Sequence, residues 1–217
     1  MSNDHAASLL RKIEQRQVVV GVIGLGYVGL PLMWAFCKAG LRVIGFDVDG
    51  QKIQQLKRGE NYLKHLGDSF AREMMAGGRC DVTDDFARLA EADAVISCVP
   101  TPLGPHLEPD LSYVEKTADN IAATLRPGQL VVLESTTYPG TTRQVVLPRL
   151  EKRGLRCGVD YFLAYSPERE DPGRKDFDTQ TIPKLVGGID APSGDLATAL
   201  YRQAIKQVIT VSSAEVA

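Results

Sequence analysis

Short apolar runs rich in β-branched residues alternate along the chain with longer stretches in which apolar residues recur every three or four positions. The first pattern predicts strands and the second predicts amphipathic helices. The predicted strands are residues 18–23, 42–46, 79–82, 94–98, 130–133, 161–165, 184–187 and 207–210. Strands that alternate with helices pair in parallel through right-handed crossovers. Because several strands are apolar throughout, we expect a doubly wound, mostly parallel α/β sheet with helices on both faces.

One predicted helix has an especially regular apolar face. Its apolar positions are Leu111, Val114, Ala118, Ile121, Ala122 and Leu125. Asp110 precedes them as an N-cap, and Pro127-Gly128 follows as a stop signal. A second helix is predicted for residues 30–39, directly after the first strand. Both helices connect consecutive strands, as a doubly wound sheet requires.

The composition excludes several classes of protein. The 217 residues are 44% hydrophobic, and 25 Lys plus Arg stand against 27 Asp plus Glu. A near-neutral chain gives no reason to expect a nucleic-acid partner. The polar, charged residues 1–17 are unlike a secretory signal peptide. Residues 18–37 carry no charge and are long enough to span a bilayer, but their glycines fit a turn between two buried elements better. We therefore expect no membrane association.

The cysteines and histidines give no sign of a metal site. Cys37, Cys80, Cys98 and Cys157 are widely spaced, without the paired spacing of a zinc ribbon. Cys37 and Cys98 lie in apolar segments, which predicts buried thiols in a reducing compartment. The three histidines are scattered through polar segments. We predict that no metal is bound.

The first candidate site is the turn Gly24-Leu25-Gly26-Tyr27-Val28-Gly29, a G-x-G-x-x-G pattern between a strand and a helix. Gly24 allows the tight turn, Gly26 lets the backbone approach a pyrophosphate, and Gly29 lets the helix pack closely on the strand. The N–H groups at the start of the helix favour an anion. Backbone and side chains of this turn, Tyr27 and Val28 included, are thus predicted to bind a dinucleotide in a Rossmann-like domain.

An acid follows at the expected distance. Asp47 ends the second strand, 18 residues after Gly29. A carboxylate there accepts from the ribose hydroxyls and repels a 2′-phosphate, which favours NAD over NADP. Asp47 can instead cap the helix that begins near Gly50. Lys52, one helical turn further on, fits a contact to phosphate or ribose as well as it fits a solvated lysine.

Other strand ends carry polar chemistry to the same predicted edge. The fourth strand leads into Val99-Pro100-Thr101, the fifth into Glu134-Ser135-Thr136-Thr137, and the sixth into Ser166-Pro167-Glu168. Parallel strands bring these segments to one crevice beside the glycine turn. Two other interpretations stay open. Ser135 and Thr137 can cap the next helix, and Arg169, Glu170 and Asp171 can form a solvated turn.

Several motifs in order resemble the UDP-glucose/GDP-mannose dehydrogenase family, the nucleotide-sugar 6-dehydrogenases. They are VIGLGYVGLPL (22–32), GFDVD (45–49), CVPTPL (98–103), ESTTYPGTT (134–142), YSPERE-DPG (165–173) and IPKLVGG (182–188). The resemblance implies oxidation of the C6 alcohol of a UDP-sugar to a carboxylate by two hydride transfers to NAD. It also implies that a cysteine holds the aldehyde as a thiohemiacetal and later forms a thioester, which water hydrolyses.

The resemblance also implies roles for particular residues. Thr136 and Glu168 match the positions that hold and activate water. The positions that line NAD in the family are matched by Thr101, Ser135 and Thr136. Arg169 and Glu170 follow in the loop that contacts the nucleotide sugar.

The chain departs from the family in what it lacks. The family's cysteine motif and its catalytic lysine and asparagine are absent from these 217 residues. Ser212 and Glu215 form a capping box, the opening of a helix that resembles the family's central helix. We therefore expect residues 1–17 to be a helical extension, 18–211 the NAD-binding domain, and 212–217 the start of a helix in a shortened chain. Such a chain would bind NAD without turnover and be monomeric, whereas the whole enzyme would be a homo-oligomer.

The loop sequences resemble one branch of the family. SPERE replaces the S-P-E-F-L usual in UDP-glucose and GDP-mannose enzymes, which implies a UDP-N-acetylhexosamine, best UDP-N-acetylglucosamine. That substrate implies a cytoplasmic enzyme of bacterial surface-polysaccharide synthesis, such as capsule or O-antigen. Alternatives are UDP-glucose, UDP-N-acetylgalactosamine or UDP-N-acetylmannosamine. A 3-hydroxyacyl or 6-phosphogluconate dehydrogenase shares the glycine turn but does not predict ESTTYPG and SPERE. A non-catalytic NAD-binding domain needs neither Thr136 nor Glu168.

Overall fold

The computed structural model describes residues 3–104, 109–168 and 183–217. The strands are β1 (Val19–Ile23), β2 (Arg42–Phe46), β3 (Cys80–Thr83), β4 (Ala94–Ser97), β5 (Leu130–Leu133), β6 (Phe162–Tyr165), β7 (Lys184–Gly188) and β8 (Val208–Thr210). The α-helices are α1 (Asn3–Glu14), α2 (Gly29–Lys38), α3 (Gly50–Lys57), α4 (Phe70–Ala76), α5 (Ser112–Thr124), α6 (Leu147–Glu151) and α7 (Ala191–Tyr201). Shorter helical segments are 3₁₀ turns at Lys64–Leu66 and Phe86–Glu91 and a π-helical segment at Thr142–Val146. The predicted strands are confirmed, with ends that shift by no more than one residue.

The strands form one sheet in the order β3-β2-β1-β4-β5-β6-β7-β8. The pairs from β3 through β6 are all parallel. The order reverses between β1 and β4, which is the switch point where doubly wound sheets bind their ligands. The predicted α/β class is therefore confirmed, and the switch point lies beside the glycine turn.

The strands β7 and β8 run against the rest of the sheet. β7 pairs antiparallel with β6, with Tyr165 opposite Gly187, and β8 pairs parallel with β7. Antiparallel neighbours need no crossover, because the second strand starts at the edge where the first one ends. The reversal places Lys184, the first residue of β7, at the edge that carries the carboxyl ends of β1 to β6.

Apolar side chains fill both faces of the sheet, as predicted. Val20 and Val22 of β1 join a cluster that includes residues of α1, α2 and α7. Ile23 joins the opposite cluster, with residues of α5 and α6. Successive residues of a strand point to opposite faces, so a strand covered on both sides has to be apolar throughout.

One cysteine prediction is wrong. Cys37 is buried, as predicted, but it is bonded to Cys80 in a disulfide rather than present as a thiol. Cys37 lies in the last turn of α2 and Cys80 begins β3, with their Cα atoms 6.3 Å apart. The sequence separation of 43 residues hides this contact, which only the packing of α2 on the sheet creates. Cys98 is a free, buried cysteine, as predicted.

The uncharged residues 18–37 divide into β1, the glycine turn and most of α2, so the membrane alternative for this stretch is wrong. Within the described ranges, every helix is too short or too polar for a bilayer crossing. Residues 213–217 form a single turn, in which the Ala217 N–H donates to the Ser213 carbonyl at 3.3 Å.

Candidate cofactor-binding site

A cavity of about 540 Å³ opens at the carboxyl edge of the sheet, over the switch point between β1 and β4. Most of the predicted site residues line it. They are Gly24, Gly26, Tyr27, Val28, Asp47, Lys52, Val99, Pro100, Thr101, Ser135, Thr136 and Glu168. Gly29 is buried behind the turn, while Arg169 and Glu170 lie outside the described residues. The folded chain thus brings together segments that are far apart in the sequence.

The three glycines of the turn have different steric surroundings. Gly24 has φ +89°, and a Cβ there would lie 2.6 Å from the Cys98 carbonyl oxygen. At Gly29, a Cβ would lie 1.9 Å from the Gly24 carbonyl oxygen. These two glycines are therefore needed by the fold itself. At Gly26 a Cβ would meet no protein atom within 4 Å, so this glycine keeps open the cavity wall where a pyrophosphate has to approach.

At the start of the helix that follows the turn, the Leu30 N–H donates to the Gly26 carbonyl at 3.2 Å, and Pro31 has no N–H. Val28 occupies the N-cap position of α2, and no side chain caps this helix end. The positive end of the helix dipole, with no side chain covering it, attracts a phosphate. The turn, the open wall at Gly26 and this helix start fit the pyrophosphate of a dinucleotide.

Asp47 is buried at the end of β2 and lines the cavity. Its Oδ2 accepts a hydrogen bond from the Leu25 N–H at 2.9 Å, and its Oδ1 accepts from the Asp49 N–H at 3.0 Å. The helix α3 is capped by Asp49, whose side chain accepts from the N–H of Gln51. The interpretation of Asp47 as a helix cap is therefore wrong. A carboxylate has lone pairs for further donors, so Asp47 can also accept from ribose hydroxyls.

Lys52 lies on the cavity wall rather than in free solvent. Its Nζ is 3.4 Å from Asp47 Oδ2 and 5.9 Å from the centre of the Tyr62 ring. The Tyr62 hydroxyl donates to the Leu25 carbonyl at 2.6 Å. Burial, and then the nearby Asp47 and Asp49 carboxylates, raise the pKa of Tyr62, so its hydroxyl stays a donor. Tyr62 fixes the glycine turn from outside, and no sequence pattern indicated it.

Two hydroxyl groups hold the loops after β4 and β5 against each other. Ser135 Oγ donates to the Val99 carbonyl at 2.7 Å, and Thr101 Oγ1 donates to the Thr136 carbonyl at 2.6 Å. Ser135 is buried and caps no helix, so that alternative is wrong for Ser135. The two bonds fix the backbone from which Thr136 faces the cavity.

The cavity has walls that the sequence did not predict. Tyr113, Lys116 and Asn120 line it from the first turns of α5, and Phe86 lines it from the turn after β3. The apolar stripe of α5 packs on the sheet, so these polar positions appear in the sequence as an ordinary solvated face.

The far end of the cavity combines Glu168 with Cys98 and Glu134. Burial raises the pKa of the Cys98 thiol well above its usual range, and the Glu134 carboxylate raises it further. A thiol that stays protonated is a poor nucleophile. Cys98 is therefore a wall residue of this site. In the part of the chain that the structure describes, no cluster of three or more His, Cys, Asp or Glu side chains has the arrangement of a metal site.

Residues 18–205 match the model of the UDP-glucose/GDP-mannose dehydrogenase family, NAD binding domain. The chain belongs to this family. The matched range contains the glycine turn, Asp47, Thr136 and Glu168, and the cofactor of the domain is NAD.

Individual relatives carry different substrate names. The chain is 37% identical over 191 residues to a UDP-N-acetyl-D-glucosamine 6-dehydrogenase of Pseudomonas aeruginosa, covering 88% of this chain and 44% of the relative. It is 35% identical over 199 residues to a UDP-N-acetyl-D-mannosamine dehydrogenase of Pyrococcus horikoshii, covering 91% and 47%. The crystal structure of an NDP-N-acetyl-D-galactosaminuronic acid dehydrogenase of Methanosarcina mazei Go1 superposes with a TM-score of 0.85 at 36% identity, covering 95% and 47%. The chain thus spans about half the length of the relatives it matches.

Proposed function

We propose that this chain is the NAD-binding part of a dehydrogenase that oxidises the C6 hydroxyl of a UDP-N-acetylhexosamine to a carboxylate. UDP-N-acetylglucosamine is the proposed substrate. The observation that carries the proposal is the convergence of the glycine turn, Asp47, Thr136 and Glu168 on one cavity at the switch point of the sheet.

The topology supports a placement of the two halves of the cofactor on two sides of the cavity. Asp47 ends β2, so the adenosine ribose belongs on the side of β1 to β3. The pyrophosphate then lies at Gly26 and the start of α2, and the nicotinamide belongs on the side of β4 to β6. When bound, NAD supplies the hydride acceptor for the oxidation. The carboxylate of Asp47 also repels the 2′-phosphate of NADP.

Thr136 and Glu168 line the same cavity from the segments after β5 and β6, on the side proposed for the nicotinamide. A carboxylate and a hydroxyl at the reacting end can hold a water molecule and accept a proton from it. We assign Glu168 to the activation of water and Thr136 to its orientation. Val99, Pro100, Thr101 and Ser135 shape the wall beneath the nicotinamide. Arg169 and Glu170 follow Glu168 and are the proposed contacts to the nucleotide sugar.

The chemistry needs a thiol nucleophile. Burial and the Glu134 carboxylate raise the pKa of the Cys98 thiol, which argues against Cys98 in that role. Cys157 is half-buried and lies outside the cavity, and burial raises the pKa of its thiol to about 12. We therefore propose that the nucleophile is supplied from outside these residues, so that the chain binds NAD without turnover. The whole enzyme is proposed to be a cytoplasmic homo-oligomer that supplies a uronic acid for bacterial surface polysaccharide.

The test follows NADH absorbance in the full-length protein with UDP-N-acetylglucosamine, UDP-N-acetylgalactosamine, UDP-N-acetylmannosamine and UDP-glucose in parallel. Two NADH per sugar with the first, and little with UDP-glucose, is the expected result. Preference for another sugar would keep the reaction and overturn the substrate. No NADH with any of them, despite NAD binding, would favour a non-catalytic NAD-binding domain.

A further inference from the structure

A buried charged cluster lies next to the nicotinamide side of the cavity. It consists of Glu134, Lys184 and Tyr201, whose relative exposures are 3%, 8% and 0%. One carboxylate oxygen of Glu134 accepts from Lys184 Nζ, and the other accepts from the Tyr201 hydroxyl. The ammonium also lies 5.4 Å from the centre of the Tyr201 ring. Each charge of the cluster thus has a partner, as burial requires.

Lys184 reaches a second segment as well. Its Nζ donates to the carbonyl oxygen of Pro167 at 3.3 Å. Glu134 lies two residues before Thr136, and Pro167 lies directly before Glu168. A single ammonium therefore connects the segment after β5 with the segment after β6.

Two other hydrogen bonds lie near the ends of β5 and β6. They connect neighbouring backbone segments but do not fix the distance between the segments that follow these two strands. Ser166 Oγ donates to the Leu185 carbonyl at 2.7 Å, and the Tyr165 hydroxyl donates to the Ser135 carbonyl at 3.2 Å. Because β6 ends at Tyr165, its ladder pairing does not extend to Pro167 and Glu168. Among the described contacts, the Lys184 bridge is the one that reaches Pro167 from Glu134.

Burial keeps the Tyr201 hydroxyl of the cluster protonated. Burial and the Glu134 carboxylate raise the pKa of Tyr201 well above its usual range, so its hydroxyl remains a donor. Tyr201 is the last residue of α7; its hydroxyl donates to Glu134, and its ring lies beside the Lys184 ammonium. Tyr201 therefore supports Glu134, whereas Lys184 spans both segments.

We propose that Lys184 is a positioning residue that sets the spacing of Thr136 and Glu168 at the nicotinamide end of the site. The proposal deepens the proposed function and rests on it. It predicts that loss of Lys184 disturbs the nicotinamide half of NAD binding and leaves the adenosine half intact, because Asp47 and the glycine turn lie across the switch point from β6 and β7.

The test compares NAD with ADP-ribose, which lacks the nicotinamide, by calorimetric titration of this chain. We expect Lys184→Met to weaken NAD binding by about tenfold, equivalent to about 1.4 kcal/mol, and to leave ADP-ribose binding unchanged. Tyr201→Phe is the matched control from the same cluster. It should lower the melting temperature without changing the ratio of the two affinities. If Lys184→Met leaves Glu134 unpaired and the chain fails to fold, the pair Glu134→Gln with Lys184→Met removes both charges and is used in its place.

Three results would overturn the proposal: equal losses for NAD and ADP-ribose, no loss for NAD, or the same NAD-specific loss in Tyr201→Phe. The first two results would show that Lys184 stabilises the core without positioning the nicotinamide end. The third would show that any disturbance of the buried cluster weakens NAD binding. Failure of the proposed function is distinguishable. The unsubstituted chain would bind neither ligand if the site did not take NAD, and the full-length protein would form no NADH with any UDP-sugar if only the catalytic role failed.

Discussion

The Asp47 carboxylate links the end of β2 to the glycine turn, because its Oδ2 accepts a hydrogen bond from the Leu25 N–H at 2.9 Å. The acid that is proposed to hold the ribose thus also fixes the backbone that is proposed to hold the pyrophosphate. Loss of the Asp47 carboxylate is therefore expected to affect both cofactor affinity and the shape of the turn.

Asp47→Ala is expected to weaken NAD binding by about 1–3 kcal/mol, the loss of hydrogen bonds to a charged group. NADP should bind relatively better, because the repulsion of its 2′-phosphate is gone. Asp49→Ala is the control. It removes the α3 cap and should cost about 0.5–2 kcal/mol of stability while NAD affinity stays the same. Unchanged NAD affinity in the Asp47 variant would remove this residue from the site.

Two alanine substitutions in the turn should have opposite effects. Gly26→Ala adds a methyl group to open space, so the free energy of unfolding should change by less than about 1 kcal/mol while NAD binding is lost. Gly29→Ala places its Cβ 1.9 Å from the Gly24 carbonyl, so the protein should be strongly destabilised. Urea unfolding and NAD titration measure both effects. Full NAD affinity in Gly26→Ala would show that the pyrophosphate does not approach there.

The disulfide gives a prediction that is independent of the cofactor. Reduction, or Cys37→Ser, should lower the free energy of unfolding by about 2–4 kcal/mol. Cys157→Ser should have little effect, because Cys157 is a free cysteine. Alkylation of the unfolded, unreduced chain, followed by mass spectrometry, should modify only Cys98 and Cys157. Modification of all four cysteines would contradict the bond.

Asp93 should make stability depend on pH. Burial opposes its charge, but the Lys12 ammonium, the Val19 N–H and the Arg126 guanidinium outweigh burial and lower the pKa of Asp93. The folded pKa is below the unfolded one, so this stability is fully present above the unfolded pKa of about 4 and is lost as pH falls through the folded value. Asp93→Asn should cost about 1.5–3 kcal/mol at neutral pH and reduce the acid dependence. If the variant lost as much free energy of unfolding between pH 6 and pH 3 as the parent chain does, the prediction would be contradicted.

The sequence predicted those parts of the fold that depend on local pattern. The alternation of β-branched strands with helices fixes the crossovers, and the glycine turn and Asp47 lie at the switch point, where the cofactor is proposed to bind. The chain also brings Thr136 and Glu168 to the same edge, as expected, because parallel strands end together. In each case the signal lies within a few residues.

The parts that the sequence missed depend on contacts between distant segments. Cys37 and Cys80 meet only because α2 packs beside β3. Lys184 reaches Glu134 only because β7 runs antiparallel to β6. The sequence of an apolar strand does not indicate whether the strand pairs parallel or antiparallel with its neighbour. Tyr62 and the polar face of α5 belong to the site through tertiary packing, and in the sequence they cannot be distinguished from solvated positions.

Glu168→Gln in the full-length protein tests the water-activating role most directly. The amide keeps the size of the side chain but accepts a proton poorly, so turnover should fall by about 10²–10⁴-fold, the usual contribution of a general base. NAD affinity should change far less, because the pyrophosphate and ribose contacts lie elsewhere in the cavity. Asp49→Ala again serves as the control, since it changes a carboxylate outside the cavity. Stopped-flow measurement of NADH formation with a saturating UDP-sugar separates the steps. Turnover within a few fold of the parent enzyme would assign the base to another residue and leave Glu168 as a wall of the nicotinamide pocket.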